Sequence, residues 1–426
     1  MRPAGTWARR NDGRFFRNRD GSATCRAGAG RNALTDSGSA ENAPRRSGER
    51  HGTAENAPSV ATRAHAGRSG GAAPASERRK KDSAAAARKL RTARQLLRLR
   101  DSGRIFYGAL DLGTNNCRLL LATPSEEGYR VVDAFSRIVR LGEGVSRTGR
   151  LSEAAQKRTI AALRICANKL RWWRVRRARL IATQACRAAE NGPAFLERVS
   201  RELGLDLEIV DAETEARLAA SGACPLIEEH AGNVLVFDIG GGSTELLWLN
   251  IVGESRRIVD WTSVPVGVVT LAERYGGRKI PRETYEAMRA HIRPALREFA
   301  RRLRERGAPA MPDHLLGTSG TVTTISGVSL GLRRYDRSRV DGCWLDREEV
   351  LRVSEELRRM DIRARAANGC IGPERADLVV AGCAILEEIT AIWPAERIRV
   401  ADRGLREGIL TDLMMEDGTY GRPEKT

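Results

Sequence analysis

One stretch constrains this chain more than any other: VLVFDIGGGSTELLWL, Val234 to Leu249. Apolar β-formers run from Val234 to Phe237 and end in Asp238. Gly240, Gly241 and Gly242 follow, then Ser243, Thr244 and Glu245, and a second apolar run returns. Strand signals on both sides of a short glycine-rich connection predict a hairpin. Glycines allow positive φ and let backbone N–H groups approach a ligand closely. A nest of such groups suits an anion, phosphate above all. Asp238 and Glu245 would repel a bare phosphate, a conflict that a divalent cation between them would remove. The plainer reading is an ordinary hairpin with exposed acids.

The pattern occurs twice. IFYGALDLGTNNCRLLLATP, from Ile105, gives a strand, Asp111, Gly113, Thr114-Asn115 and a second strand. The two Asp-x-Gly turns lie 127 positions apart (111 and 238), an internal duplication signal. Facing one another, they would hold a phosphate between them.

Charge separates a tail from the folded chain. Residues 1–100 carry 23 Lys/Arg against 8 Asp/Glu, a net of +15 within the total of +19. The other 326 residues carry 50 against 46, a net of +4. The folded part is therefore not a strongly basic nucleic-acid module, and nucleic acid is expected at most through the extension. A segment this polar cannot bury enough surface to offset its chain entropy, so 1–100 is expected to be disordered up to a short basic helix over 84–100. The N-terminus lacks an apolar signal-peptide core, and no run is long and apolar enough to span a membrane. The eight cysteines are scattered without a Cys-x-x-Cys pair. A zinc site is not expected, and a reducing cytoplasm fits best.

Between and after the hairpins the chain reads as alternating strands and helices. Ser152 is a plausible N-cap for a helix carrying Ile160, Leu163, Ala167 and Leu170. Leu180 to Thr183 is a buried strand leading to Arg187, placed where α/β layers bind ligands, although a salt-bridged surface arginine reads equally well. Asp211 can cap a helix whose first turns carry Glu213 and Glu215; the helix dipole alone would favour acids there. Leu315-Leu316 enters Gly317-Thr318-Ser319-Gly320-Thr321, a further N–H-rich turn at a helix start. Ile398 to Ala401 is a last strand before Asp402-Arg403-Gly404-Leu405-Arg406-Glu407-Gly408 and a terminal helix.

The set DLGTNN (111–116), ATQACRAA (182–189), ETEAR (213–217), DIGGGSTE (238–245), GTSGT (317–321) and DRGLREG (402–408) resembles the exopolyphosphatase/guanosine pentaphosphate phosphatase (Ppx/GppA) family. The resemblance runs from about Ile105 to Met415. It implies an α/β fold of two ribonuclease-H-like domains around a cleft, as in the actin/Hsp70/sugar-kinase superfamily. The expected boundaries are 101–228 for the first domain, completed by a terminal helix over 403–418, and 229–402 for the second. Because the chain ends shortly after GLREG, it resembles the short two-domain class, in which processive handling of long chains is in question. The implied activity is Mg²⁺-dependent hydrolysis of a terminal phosphoanhydride, releasing orthophosphate from inorganic polyphosphate. Glu215 matches the family's general base. Asp238 and Glu245 match acids associated with Mg²⁺ and water positioning, and Asp111 the acid of the first phosphate loop, assigned here to the metal set. Arg187 matches a phosphate-contacting arginine. Thr114-Asn115 and the backbone of Gly240, Gly241, Gly242, Ser243 and Thr244 match the two phosphate loops. A homodimer is compatible with the family, and no membrane partner is expected. Guanosine pentaphosphate as the substrate, an ATP-dependent kinase of the same superfamily, and a non-catalytic alarmone or RNA binder are the alternatives.

Overall fold

The computed structural model describes residues 24–25, 94–253 and 255–422. The expected disorder over 1–100 lies mostly outside these residues. Of the helix expected over 84–100, residues 94–100 are described, and they are helical. They belong to a unit, 29–102, separate from the one that carries both hairpins.

The first sheet is built from β1 (Tyr107–Leu112), β2 (Asn116–Ser125), β3 (Gly128–Ile138), β4 (Arg177–Ala182) and β5 (Glu208–Ile209), in the order β3-β2-β1-β4-β5. Three antiparallel strands give way to parallel β1, β4 and β5. Between β3 and β4 runs α1 (Glu153–Trp172), and Ser152 caps it by accepting a bond from the Ala155 amide, as its sequence predicts. At its end Trp173 is buried, and Trp172, 39% exposed, packs edge-on against it with ring centroids 4.8 Å apart. After β4 come α2 (Gln184–Ala188) and α3 (Gly192–Leu203), and after β5 comes α4 (Ala212–Ala223), capped by Asp211 as expected.

The second sheet repeats the plan with β6 (Asn233–Ile239), β7 (Thr244–Val252), β8 (Ser255–Val264), β9 (His314–Thr318), β10 (Trp344–Asp346) and β11 (Arg397–Val400). Their order is β8-β7-β6-β9-β11-β10, with Thr24–Cys25 paired along the outer edge of β8. Again an antiparallel meander precedes parallel strands, here β6, β9 and β11. The near-continuous apolar run of β6 follows from burial on both faces. Leu235 and Phe237 face one core with α6 (Arg282–Glu305), α8 (Arg347–Arg359) and α10 (Val379–Ile392). Val234 and Val236 face α4.

α4 touches both sheets. Ala216, Ala220 and Ala223 pack on the second sheet, and Leu218 packs on the first. Its run of small residues is what such a double contact requires. The terminal helix α11 (Leu405–Glu416) covers the first sheet with Ile409, Leu410, Leu413 and Met414. It approaches α4 so closely that a Cβ on Gly222 would lie 1.9 Å from the Gly404 carbonyl oxygen, and one on Gly408 would lie 2.1 Å from that of Leu218. The last glycine of GLREG is thus a helix-contact glycine. Among the described residues no helix is long and apolar enough to cross a membrane.

Candidate active site

Asp111 and Asp238 close the carboxyl ends of β1 and β6, the position at which open α/β sheets present ligand-binding groups. The turns after them are built alike. The Gly113 amide donates to the Asn116 carbonyl at 2.9 Å, and the Gly240 amide donates to the Ser243 carbonyl at 2.9 Å. The turns also meet: a Cβ on Gly241 would stand 3.0 Å from Thr114 Cβ, and one on Gly242 would stand 2.7 Å from Thr114 Oγ1. None of Gly113, Gly240, Gly241 or Gly242 adopts the left-handed φ that glycine was expected to supply. In the second turn it is space, not backbone angle, that excludes a side chain.

Around this meeting point lies a cavity of about 420 Å³. Asp111, Thr114, Asn115, Glu215, Asp238, Gly240, Gly241, Gly242, Ser243 and Glu245 all line it. Thr244 and Arg187 do not. Thr244 is fully buried, and its hydroxyl donates to the Val266 carbonyl at 2.7 Å. Arg187 stands behind the cavity wall. It donates to Glu215 Oε2 at 3.1 Å, to the Val210 carbonyl at 2.7 Å, and twice to Gln184 Oε1. The salt-bridged reading of this arginine therefore describes its present contacts, and its partner is the carboxylate assigned the base role.

Glu215 sits in the first turn of α4 with its side chain 14% exposed. Burial pushes its carboxyl well above the usual range. The charge of Glu245 pushes the same way, and Arg187 pulls back. Glu245 itself is pushed up to about 7, first by burial and then by Asp238, although Ser243 and Ser263 oppose this. The Ser263 hydroxyl donates to its Oε1 at 2.7 Å. Asp238 is raised by burial against the pull of the Thr318 and Ser319 hydroxyls and Arg118. Asp111 is also raised by burial, with Arg118 and Arg406 opposing and Asp238 adding to the rise. Four carboxyls around one cavity thus resist ionisation.

Among the described residues, no three His, Cys, Asp or Glu side chains converge tightly enough to enclose a metal ion. Mg²⁺ does not require such a cage: one or two carboxylates, waters and substrate phosphate oxygens suffice. The donor set here suits it. Besides the acids, the buried Asn115 Oδ1 atom, in a residue that lines the same cavity, has no hydrogen-bond partner.

Four arginines to which motif reading gave no role also line the cavity, Arg118, Arg375, Arg403 and Arg406, although the Arg403 guanidinium donates to the Asp341 carboxylate. Arg118 lies directly across the strand pair from Asp111, as Glu245 lies across from Asp238. The duplication carried the signal, because Arg118 and Glu245 are also 127 positions apart. Arg406 was inside the DRGLREG motif but without a role. Arg375 has no local signal; tertiary packing brings its guanidinium to within 3.4 Å of where a Cβ on Gly320 would be. Arg118 lowers the basicity of both Arg375 and Arg406, after the larger effect of burial. Guanidinium groups that crowd each other in a recess favour an anionic ligand, and phosphate matches their planar donor forks. Ser319 adds backbone strain at the rim. Its φ is +84°, and its hydroxyl donates to the Ile239 carbonyl at 2.9 Å, tying the third turn to the end of β6.

The family described as the Ppx/GppA phosphatase family matches residues 123–417. This chain belongs to the Ppx/GppA phosphatase family. The chain is 32% identical over 323 residues to Exopolyphosphatase 2 of Mycobacterium tuberculosis, covering 72% of this chain and 97% of that protein. It is similar in structure to the Ppx/GppA family member of Aquifex aeolicus, with a TM-score of 0.61 at 28% identity over 74% of this chain and 98% of that one. An exopolyphosphatase from Cytophaga hutchinsonii shares the fold, with a TM-score of 0.66 at 23% identity over 74% and 99% of the two chains. The chain thus has the actin-like fold of the Ppx/GppA proteins, with two mixed sheets and their helices.

Proposed function

We propose that the chain hydrolyses a terminal phosphoanhydride and releases orthophosphate from inorganic polyphosphate. The observation that supports this most is the recessed Glu215 carboxylate, which opens into the cavity where the two turns meet. The turn amides and Arg118, Arg375 and Arg406 hold the phosphoryl oxygens of the chain. Glu215 accepts a proton from water as the water oxygen bonds to the terminal phosphorus. The bond from that phosphorus to the bridging oxygen breaks, and its electron pair leaves with the shortened chain. Such a leaving group needs little protonation, so positioning and charge neutralisation carry the reaction. Asp111, Asp238 and Glu245 would hold Mg²⁺, which when bound supplies positive charge to the phosphoryl oxygens. Glu245, with its high proton affinity, becomes an effective ligand as pH rises through about 7.

Guanosine pentaphosphate is a second reading, and one feature favours it. The cavity lining also includes Tyr335, Ile371, Leu378 and Val379, apolar groups that a bare phosphate chain does not use. Orthophosphate release by the purified chain, measured side by side on polyphosphate and guanosine pentaphosphate with and without Mg²⁺, tests both. Mg²⁺-dependent release from polyphosphate at the higher kcat/KM supports the first reading. Release from the nucleotide alone supports the second, and no release from either contradicts both.

A further inference from the structure

Each turn is backed by a second segment of its own half. Behind the first turn, the Val139 and Arg140 amides donate to the Asn115 carbonyl at 2.8 and 3.0 Å, and the Gly142 amide donates to the Thr114 carbonyl at 2.9 Å. Behind the second, the amides of Val268 and Val269, which open α5 (Val268–Tyr275), donate to the Gly240 and Gly241 carbonyls at 3.0 and 2.8 Å. The two backing segments are also tied to the opposite half. Glu273 of α5 accepts from the Gly144 amide at 2.7 Å and the Ser146 hydroxyl at 2.6 Å. Arg140 donates to both carboxylate oxygens of Asp377 at 2.9 and 3.0 Å and to the Glu374 carbonyl at 3.1 Å. Residues 374 and 377 flank Arg375, whose guanidinium lines the cavity. Arg140 holds a left-handed φ of +47° while its backbone and side chain make these contacts.

We propose that Arg140 and Glu273 are positioning residues that clamp the backs of the two turns together, setting the gap between them and the reach of Arg375. This rests on the reading of the cavity as a phosphoanhydride site. Neither residue lines the cavity, so each acts through what it holds. Arg140 fixes the 374–377 segment against the first turn. Glu273 fixes the strap of residues 142–146 against the helix that supports the second. Catalysis by positioning is sensitive to small displacements: a shift of ~1 Å costs about a hundredfold.

The test uses the full chain with Arg140→Ala, Glu273→Ala, the pair, and the exchange Arg140→Asp with Asp377→Arg. The expected result is a loss of roughly tenfold in kcat/KM for orthophosphate release in each single variant and roughly a hundredfold in the pair, from the sensitivity of positioned reactions. Melting temperatures should stay within a few degrees of the wild type, and the exchange should recover most of the Arg140→Ala loss. Lowered melting temperatures with an unchanged kcat/KM would overturn the clamp. If the wild type releases no phosphate, the reading of the cavity fails, and amide exchange decides the clamp separately. Glu273→Ala must then speed exchange at both Gly142 and Val269, and unchanged exchange at these amides would overturn it.

Discussion

The two Asp-turn hairpins share a backbone plan and differ in one cross-strand partner. In the first, Asp111 faces Arg118; in the second, Asp238 faces Glu245. The first hairpin therefore presents an acid already balanced by a cation, and Arg118 lowers the proton affinity of Asp111. The second presents two buried acids, and the charge of Asp238 raises the proton affinity of Glu245. A duplicated scaffold thus carries unlike halves: the first sets Arg118 opposite its acid, with a charge that reaches both Asp111 and Asp238, and the second sets another acid, Glu245, there. The turns differ too. A Cβ on Gly113 would meet nothing closer than the Asn116 carbonyl oxygen at 3.6 Å, whereas Gly240, Gly241 and Gly242 face atoms at 2.9, 3.0 and 2.7 Å.

The sharpest way to break this comparison is to remove each half's distinguishing charge. Arg118→Ala should cost about 10²–10³ in kcat/KM for orthophosphate release, the range for losing a charge-stabilising donor. That loss should persist at high Mg²⁺. Glu245→Gln should lower activity in a way that added Mg²⁺ partly restores. If both variants respond alike to Mg²⁺, the halves are not specialised. The turn glycines come next. Gly242→Ala should reduce kcat/KM about a hundredfold by pushing Thr114 away, while Gly113→Ala should stay within a few-fold of wild type.

Arg187 sharpens the acid side of the comparison. It lowers the proton affinity of Glu215, so Arg187→Met should raise it further. Glu215 must be unprotonated to accept a proton. The acid limb of the kcat/KM profile should therefore move to higher pH in the variant. The smallest effect is on stability. The folded-state value of Glu245, about 7, lies above that of an unfolded glutamate. The stability it contributes is fully present below the ordinary glutamate range and is lost as pH rises through about 7. Thermal unfolding without Mg²⁺ should find Glu245→Gln more stable than wild type at pH 8, with the difference shrinking toward pH 5.

Both hairpins were readable in the chain because their information is local: apolar runs, an acid, a glycine-rich turn. The caps at Ser152 and Asp211 were readable for the same reason. So was a carboxylate at 215 near the start of a helix, although its proximity to Glu245 was not. What stayed hidden depends on contacts between distant segments. Arg375 sits in a loop whose residues 374 and 377 are held by Arg140, more than 230 positions away in the chain. Thr244 reads as part of the phosphate loop, yet its hydroxyl is turned toward Val266 by the pairing of β7 with β8. Gly408 looks like part of a binding motif and proves to be the contact point of α11 with α4. Motif residues thus divide into those that face the cavity and those that let the scaffold close around it, a division that spacing alone does not show.

The account depends most on Glu215 as the group that takes the proton from water. A single-turnover measurement of orthophosphate release by Glu215→Gln, at saturating polyphosphate and Mg²⁺, tests this most directly. Gln keeps the size and hydrogen-bonding reach of the side chain and cannot act as the base. The rate should fall by about 10²–10⁴, the usual contribution of a general base, with little change in substrate affinity. A wild-type single-turnover rate in this variant would contradict the account.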